Sequence, residues 1–307
     1  MDKLTRETAG AIVVCYDTGE AFGERLRKMH QLAQHVAVII NRFSSDEQQQ
    51  AFTQQLRLEF SAAMADGIRL VELEQNYGIG VALNRGVEAL PDDAEWLIFF
   101  DDDTTLFDDV AGVVAEEVAR ALTETGGGAS FGQLGLGYAA SSGEQSIPGN
   151  TIRVEKLAVI TSGSILHRST YRQAGPFRED LFIDSIDIEY SLRLRRMGRK
   201  VLKSSAAFMT HPLGRMYQVR LLGHTLQMHE HNALRCYYIV RNRILVGREY
   251  FNFSPIFFFF SMVQILLHVL RVMVFERQKL LKLSRMFQGA VHGISGRTGR
   301  LTVGAQR

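Results

Sequence analysis

Residues 96–103, Trp-Leu-Ile-Phe-Phe-Asp-Asp-Asp, are the most informative stretch of this chain for its fold. The first five are apolar and predict a buried strand, and the last three are Asp101, Asp102 and Asp103. Three carboxylates held together at the end of a buried strand would cost roughly several kcal/mol in repulsion and lost hydration. A divalent cation removes that cost, because hard cations take carboxylate oxygens and can bridge to phosphates. The alternative is a solvated acidic turn that caps the helix after Asp108-Asp109.

Strand and helix patterns alternate on the N-terminal side of this stretch. The apolar runs predict strands at 11–16, 36–40, 68–73 and 96–100. Amphipathic periodicity predicts helices at 20–32, 45–64 and 79–90, the second of them capped by Ser44-Ser45-Asp46. Alternation with short connections indicates an α/β fold with a Rossmann-like sheet. Ligands bind such sheets at the carboxyl ends of the strands, where the three aspartates fall.

The rest of the chain is less regular. No G-x-G-x-x-G turn follows the first predicted strand and no P-loop is present, which disfavours both of those nucleotide-binding modes. The Gly- and Ser-rich stretch 132–149 predicts loops and short strands. A helix is expected at 187–197 and a strand at 200–203, and from about residue 233 the pattern is helical.

Length and cysteine content fit a cytoplasmic protein. A chain of 307 residues can bury a sizeable core and hold one large α/β domain with an appendage. Cys15 and Cys236 lie far apart and form neither a ligand pair nor a disulfide framework, as in a reducing compartment. The charged first residues have no apolar segment of a signal peptide, so none is expected.

The charge is divided unevenly along the chain. Residues 1–189 contain 15 Lys and Arg against 30 Asp and Glu, a balance of −15, whereas residues 190–307 contain 20 against 3, a balance of +17. A basic second half indicates an anionic partner such as phosphate groups or anionic lipid. Nucleic acid is not expected as a partner, because no recognised binding motif accompanies the charge.

Residues 255–275 form a second unusual segment, because their length and apolar composition approach those of a membrane span. Gln264, His268 and Arg271 interrupt the segment on one helical face, which suits an interfacial or a buried helix better than a span. The basic residues that follow match an anionic lipid surface. They are Arg277, Lys279, Lys282 and Arg285. The alternatives are a helix buried in the core or in a homodimer interface, and a true span.

Three further clusters carry residue types suited to chemistry. Residues 76–86 combine Asn and Gly at a helix start, which suits phosphate binding or close helix packing. Asp187 and Glu189 cannot share one helix face, so one can face a cleft while the other caps the helix or pairs with Arg193. His211 is either structural or a ligand beside a carboxylate-held metal.

The order of these motifs resembles that of the family 2 glycosyltransferases, inverting enzymes of the GT-A fold, and in particular their bacterial rhamnosyltransferase-like group. The resemblance covers roughly residues 11–300. The matching segments are Asn76–Gly86 (N-x-G-x-A-x-A-x-N-x-G, with Gly80 at the first small position), Asp101–Asp103 (D-x-D), Thr161–Ser164 (the acceptor-side strand), Phe182–Arg193 (F-I-D-x-x-D-x-E-x-x-L-R), Arg235–Asn242 (R-x-Y-Y-x-x-R-N) and a glycine-spaced tail at Gly289, Gly293, Gly296 and Gly299.

This resemblance implies a GT-A-type α/β fold, a Rossmann-like mixed sheet with a helical, basic C-terminal extension. We expect domains at 1–205 and 206–307. The implied reaction moves L-rhamnose from dTDP-L-rhamnose, with inversion, onto a hydroxyl of a cell-surface glycan or its polyprenyl-diphosphate-linked precursor. The basic second half and the apolar segment 255–275, rather than the resemblance, place the protein at the cytoplasmic face of the inner membrane. A homodimer is the competing expectation for this segment.

The resemblance also assigns roles to residues. It implies that Asp101, Asp103 and His211 bind Mg²⁺ or Mn²⁺, and that Asp187 is the general base that deprotonates the acceptor hydroxyl. The residues expected to bind the donor are Tyr16, Asn41, Asn76, Gly78, Asn84, Asp101 and Asp102. Those expected to bind the acceptor or its phosphates are Ser162, Gly163, Glu189, Arg235, Arg241 and Arg243.

One position departs from the family pattern. The second strand of the family usually ends in an Asp that contacts the nucleotide base, and Ile40 stands there, so base recognition is expected to fall to Asn41. A galactofuranosyltransferase of the same family is an alternative. A sugar nucleotidylyltransferase is disfavoured, because residues 17–20 lack a Gly-rich basic loop. A non-catalytic membrane-bound scaffold is a further alternative, against which the intact carboxylates and His211 argue.

Overall fold

The structure is a computed structural model that describes residues 1, 3–19, 21–139, 151–211, 216–221 and 224–301, with the backbone alone for 216–221 and 224–229. Its residues divide into two units. Unit 1 contains residues 1–177 and 190–212, and unit 2 contains residues 178–189 and 213–307.

Unit 1 is built on a nine-stranded mixed sheet, in the part of the chain that is described. The strands are β1 (Ala9–Cys15), β2 (His35–Ile40), β3 (Ile68–Glu72), β4 (Trp96–Asp101), β5 (Thr105–Leu106), β6 (Phe131–Ala139), β7 (Arg153–Glu155), β8 (Ser164–His167) and β9 (Lys200–Thr210). Their order is β3-β2-β1-β4-β8-β6-β9-β5, and β7 pairs with β9. Strands β1–β4 are mutually parallel, whereas β8 runs antiparallel to β4 and β6. The predicted α/β class with a mixed sheet is confirmed.

Six helices lie wholly in the described part of unit 1. They are α1 (Phe22–Leu32), α2 (Asp46–Glu59), α3 (Ser61–Asp66), α4 (Ile79–Ala89), α5 (Val110–Thr125) and α6 (Arg168–Ala174). The single helix predicted at 45–64 is two helices, because Phe60 leaves the helical conformation and is buried. Every residue of β1 is buried, as expected for a central strand covered on both faces. A Cβ on Gly86 would collide with Ile12, so α4 packs closely on β1 only with glycine there.

Strand β6 lies at the start of the stretch 132–149, where loops and short strands are predicted. It is nine residues long and mostly buried. A Cβ on Gly137 would collide with the carbonyl oxygen of Ala206, and one on Gly135 would lie 2.8 Å from Val159. Glycines that predict loops in the sequence therefore serve here to admit close neighbours. Residues 140–149 lie outside the described part of the chain.

Unit 2 is mainly helical in its described residues. It contains a 3-10 turn (Glu179–Leu181), the antiparallel strands β10 (Met216–Leu221) and β11 (His224–His229), and the helices α8 (Ala233–Glu249), α9 (Pro255–Phe275) and α10 (Lys279–Ser295). Helix α7 (Ile186–Arg196) begins in unit 2 and ends in unit 1. The boundary expected at 205 differs from this division, because β9 continues to Thr210 in its pairing with β5 and β6.

Helix α9 is apolar around most of its circumference and buries both apolar and polar residues, Phe257 and Val272 together with Ser261 and His268. By length and composition it could cross a membrane, and only 22% of its most apolar window is buried. Its inward residues include Ser261 and His268, and Arg271 pairs with the buried Glu276. The outward residues are apolar, and Ile256 is 82% exposed. A soluble helix normally buries most of its apolar surface, whereas α9 leaves a large part of it exposed.

The basic residues after α9 do not all face outward. Lys282 is buried, and its ammonium lies 2.8 Å from Glu276 and 3.1 Å from Glu230. The prediction that Lys282 belongs to a lipid-facing basic cluster is therefore wrong, because an ammonium held by two carboxylates inside the unit is not available to a surface. Arg277 and Lys279 are exposed, as predicted.

Candidate active site

The acidic triplet divides between two environments in unit 1. Asp101 and Asp103 lie beside His211, and one ligand atom from each of the three residues lies within 4.8 Å of the others. His211 Nε2 is 3.8 Å from Asp101 Oδ2, and Nδ1 is 3.2 Å from Asp103 Oδ1. Pairing of β5 with β9 brings the end of β9 to the loop after β4. Residues 110 positions apart are thereby joined, as the metal prediction requires.

This group has the donor set of a divalent cation site. Two carboxylates and an imidazole suit Mn²⁺ in particular, and the carboxylates suit Mg²⁺. Oδ1 of Asp103 is buried without a hydrogen-bond donor aligned on it among the described residues. Both carboxylates raise the pKa of His211, against the effect of its burial. A cation would satisfy these oxygens and replace the proton that the imidazole otherwise attracts.

Thr104 was not predicted from the sequence and supports this group. Its hydroxyl is 3.1 Å from His211 Nδ1 and 2.6 Å from the hydroxyl of Ser162. Ser162 Oγ in turn accepts a hydrogen bond from the backbone N–H of Asp101. Hydrogen bonds of this kind, made to the predicted ligands by residues that do not bind the cation, fix the orientation of the ligating side chains. The only sequence signal for Thr104 is its position directly after the triplet.

Ser162 and Gly163 are predicted acceptor ligands, and in the structure both make hydrogen bonds to β4 or to the loop that follows it. Ser162 is buried in the chain of hydrogen bonds just described. Gly163 has a φ of 74°, and its N–H donates to the carbonyl of Phe99. A Cβ on Gly163 would also collide with Met209, so only glycine fits. Both residues therefore support β4, and their contact with the acceptor stays a prediction.

Asp102 faces the loop after β1 instead of the cation group. Its Oδ2 accepts hydrogen bonds from the Thr18 hydroxyl and, at 3.3 Å, from the backbone N–H of Tyr16. Arg25 donates to the Asp102 carbonyl at 2.8 Å. Burial raises the pKa of the Asp102 carboxyl, while these hydrogen bonds lower it. Asp102, a predicted donor ligand, is therefore occupied in ordering the loop that carries Tyr16, whose own side chain is exposed.

The ends of β2 and β3 are tied together by side-chain amides. Asn41 is buried, donates to Asn76 Oδ1 at 3.3 Å and accepts from the N–H of Tyr77 at 3.2 Å. Asn76 Oδ1 also accepts from the N–H of Gly78, whose φ of 91° requires a residue without Cβ. The amide of Asn41 is thus used inside the protein, and the expectation that it recognises the nucleotide base is not supported by this geometry.

Asn84 is likewise a structural residue. Its side chain is buried and donates to the carbonyl of Phe177 at 3.0 Å. Its oxygen accepts from the N–H of Phe177 and from the Tyr171 hydroxyl, both at 2.9 Å. With its amide satisfied at both ends, Asn84 anchors the segment after α6 to α4. Its predicted contact with the donor stays a prediction, and these hydrogen bonds give it a structural role.

Unit 2 contains the predicted base, Asp187, together with a second carboxylate, Asp184, that acts on it. Asp187 lies in the first turn of α7, where its Oδ1 accepts from the N–H of Ile188 at 2.8 Å. Burial, with a smaller contribution from Asp184, raises the pKa of Asp187 to about 6. Asp184 Oδ1 is 3.2 Å from Arg235 Nη2, and its Oδ2 is buried without a hydrogen-bond partner among the described residues. Burial lowers the pKa of the half-buried Arg243, and the charges of Asp184 and Asp187 offset only part of that effect.

Two other predicted ligands in unit 2 are internal. Glu189 is buried and accepts from the Tyr250 hydroxyl at 2.8 Å. Arg241 is fully buried, and its guanidinium donates to Leu181 O at 2.8 Å and to the Gly299 carbonyl. Both side chains stabilise unit 2 through these internal hydrogen bonds. Their contact with the acceptor or its phosphates stays a prediction.

Comparison with known proteins shows similarity in sequence and in fold. The chain is 26% identical over 256 residues, 79% of its length and 83% of the relative's, to the dTDP-rhamnosyl transferase RfbF of Shigella flexneri. It is similar to the mannosyltransferase PcManGT of Pyrobaculum calidifontis, solved with GDP-Man and Mn²⁺ (TM-score 0.54, 13% identity, 95% of this chain and 88% of that one). It is also similar to GalNAc-T7, solved with UDP, GalNAc and Mn²⁺ (TM-score 0.50, 12% identity), spanning 72% of this chain and 44% of that one.

These likenesses confirm the GT-A type of α/β fold predicted from the motifs. A family model described as glycosyl transferase family 2 matches residues 11–172, which is more than half of the chain and includes β1–β4, the acidic triplet and β8. The chain therefore belongs to glycosyl transferase family 2.

Proposed function

We propose that this glycosyltransferase moves L-rhamnose from dTDP-L-rhamnose, with inversion, onto a hydroxyl of a cell-surface glycan or its polyprenyl-diphosphate-linked precursor. The observation that carries the choice of donor is the similarity to a dTDP-rhamnosyl transferase over 79% of the chain. That similarity extends beyond residues 11–172, the part matched by the family model, so it includes residues of the helical unit.

In this proposal Asp101, Asp103 and His211 hold Mg²⁺ or Mn²⁺. When bound, the cation neutralises charge that develops on the leaving diphosphate, as a Lewis acid. Thr104 and Ser162 keep the imidazole and the backbone of Asp101 in place. Tyr16, Asn76 and Gly78, at the carboxyl ends of the parallel strands, are the residues that we retain as donor ligands.

Asp187 is the proposed general base. A carboxylate with a pKa of about 6 is ionised at neutral pH, yet it takes a proton from an attacking hydroxyl more readily than an ordinary Asp. The acceptor oxygen loses its proton to Asp187 as it bonds to the anomeric carbon, and the bond from that carbon to the diphosphate breaks. Arg235 and Arg243 are the basic residues that we retain for anionic groups of the acceptor.

A donor panel tests this function. Purified protein with Mn²⁺ or Mg²⁺ is incubated with dTDP-L-rhamnose, UDP-galactofuranose, GDP-mannose and UDP-GalNAc, and the release of nucleoside diphosphate is measured. We expect dTDP-L-rhamnose to be turned over at least about tenfold faster than the others, since a mismatched sugar loses about 1–3 kcal/mol of transition-state binding. A clear preference for another donor would overturn the proposed substrate.

We further propose that unit 2 binds the cytoplasmic face of the inner membrane through α9 and α10. Both helices expose large apolar residues, with Leu280 85% and Ile256 82% exposed. Arg277 and Lys279 are exposed between them, where cations would meet lipid phosphates. The inward position of the polar residues of α9 supports a helix that lies in the interface, because a bilayer solvates its apolar face.

Flotation on vesicles tests this surface. The protein is expected to float with anionic liposomes and to be partly released by high salt, because each basic residue near the surface adds about 1 kcal/mol that salt screens. Replacing Ile256, Phe260 and Leu267 together by Gln should weaken binding by about tenfold or more. Leu58→Gln is the matched control, since Leu58 is an exposed leucine of unit 1. Absence of flotation at any salt, together with a dimer in solution, would favour a homodimer interface instead.

A further inference from the structure

The segment before α7 has an unusual backbone. Phe182, Asp184 and Ser185 have φ angles of 66°, 64° and 64°. Non-glycine residues in this region each cost about 1–3 kcal/mol and persist only where the surroundings hold them. Three such residues within four positions, directly before Asp187, form what we call the base strap, residues 182–185. The strap therefore needs an external support.

Asn242 on α8 provides that support. Its side-chain Nδ2 donates to the carbonyls of Leu181 at 2.9 Å, Ile183 at 2.6 Å and Asp184 at 2.9 Å. The two N–H bonds of this amide are thus shared among three backbone oxygens in and next to the strap. Asn242 is fully buried, so its loss would remove this donor from the Ile183 and Asp184 carbonyls, whereas the Leu181 carbonyl would keep its hydrogen bond from Arg241.

Arg241 orients this amide. Its Nε donates to Asn242 Oδ1 at 2.8 Å, which directs Nδ2 toward the strap. Its guanidinium also donates to Leu181 O and Asp180 O, at 2.8 and 3.3 Å. The group is stacked over Tyr237 and Tyr238, with the guanidinium carbon 5.4 and 4.8 Å from the ring centroids. Full burial and so many acceptors keep Arg241 in one orientation.

Residues 299–301, at the C-terminal end of the described chain, make further hydrogen bonds to the same residues. Gly299 accepts from Arg241 through its carbonyl and donates from its N–H to Asp180 O at 2.7 Å. The N–H of Leu301 donates to the Tyr238 hydroxyl at 2.8 Å, and the Phe182 ring stacks on Tyr238 at 5.0 Å between centroids. Segments at 180–185, 237–242 and 299–301 therefore form one network around the strap.

We propose that Arg241 and Asn242 are positioning residues that hold the strained base strap and thereby set the placement and burial of the Asp187 carboxylate. This inference rests on the proposed role of Asp187 as the base. The charged groups that act on Asp187 within unit 2 are Asp184 and Arg243, and Arg235 pairs with Asp184. Displacement of the strap would hydrate Asp187 and change its distance from those charges.

The test combines kinetics with a pH profile. In Asn242→Ala we expect kcat to fall about 10–100-fold, because misplacement of a catalytic group by about 1 Å can cost 10²-fold. The donor KM should stay within about twofold, since this unit 2 network contains none of the proposed donor ligands. The acid limb of the kcat profile, near pH 6 in the parent, should move to lower pH as the carboxylate becomes hydrated. Asn242→Gln, which keeps an amide donor, should recover part of kcat.

Two controls separate this proposal from others. Met286→Ala makes a cavity in the same helical unit, among residues that pack on Cys236 and Val240, and should lower stability without moving the acid limb. Asp187→Asn should abolish the limb, which assigns the limb to the base. If Asp187→Asn remains active, the base itself is wrong. If Asp187→Asn is inactive but folded Asn242→Ala keeps the kcat and pH profile of the parent, or if Met286→Ala shifts the limb equally, the positioning role is overturned.

Discussion

Asp103→Asn should reduce sugar transfer by on the order of 10³-fold or more. Asp103 supplies a buried oxygen to the proposed cation group and lies 3.2 Å from His211. Replacing a carboxylate by an amide removes a negative ligand, and the charge stabilisation supplied by a bound cation is worth several kcal/mol, at about 1.36 kcal/mol for each tenfold in rate. The measurement is steady-state release of nucleoside diphosphate at saturating donor, with Mn²⁺ titration of both proteins.

Asp102→Asn is the matched control for this variant. Its Oδ2 accepts from Thr18 and from the N–H of Tyr16, and an amide oxygen can accept both bonds. We expect a loss of less than about tenfold, because the substitution keeps an acceptor for both hydrogen bonds and leaves the cation ligands unchanged. Chelation of the parent should abolish activity and added Mn²⁺ or Mg²⁺ should restore it. Near-parental activity of Asp103→Asn, or indifference to chelator, would contradict the cation role.

Asp187→Asn should still bind donor and cation but lose transfer by about 10²–10⁴-fold, the usual contribution of general-base catalysis. The parent should lose activity as pH falls through about 6, because protonated Asp187 cannot accept the proton of the acceptor hydroxyl. The small remaining activity of the variant should lack this dependence. Rates from pH 5 to pH 9, with donor affinity measured separately, check both expectations.

The same substitution should make the protein more stable. The folded-state pKa of Asp187 is raised from 3.8 to about 6, so the ionised carboxylate destabilises the fold at pH values above about 6. A shift of that size corresponds to on the order of 2–3 kcal/mol. Asp187→Asn should therefore gain most in unfolding free energy near pH 8. The gain should shrink as pH falls below about 6 and disappear by about pH 3, below the unfolded-state value of 3.8, where Asp187 is mostly protonated in both states.

Two neighbouring carboxylates serve as comparisons for Asp187. Asp184 pairs with Arg235 and Glu189 accepts from Tyr250, so each has a structural partner. If Asp184→Asn or Glu189→Gln abolished transfer while Asp187→Asn stayed active, the base would be assigned to the wrong carboxylate. A loss of stability in Asp187→Asn at pH 8 would likewise contradict the burial argument.

Much of the fold followed from local patterns. The four strands predicted in the first hundred residues are present within two residues of their expected bounds, and α4 and α7 also lie where periodicity placed them. Hydrophobic periodicity and caps act over a few residues, so sequence alone contains them. The division of 45–64 into two helices and the hairpin of β10 and β11 were missed, and β6, at nine residues, is longer than the short strands predicted in its region. In β6, glycine serves close packing by distant residues, which local sequence does not record.

The residue types at the site could be predicted from the sequence, whereas the residues that they contact could not. The motif order identified the family, and Asp101, Asp103 and His211 do come together. The same pattern made Asn84 and Arg241 ligands, although both are buried with their polar atoms used inside the protein. Thr104 and Asn242 acquire their importance only through hydrogen bonds to residues about 60 or more positions away.

The physical reason for this division is the range of the interactions involved. The amino-acid sequence alone was sufficient for the alternation of strands and helices, for three carboxylates at the end of a buried strand and for a basic, apolar C-terminal half. The three-dimensional packing determined that Asp102 turns away from Asp101 and Asp103, that α9 places its polar residues inward and that Asn242 holds the base strap. Burial and hydrogen-bond partners depend on segments far apart in the chain, and no local pattern encodes which of them meet.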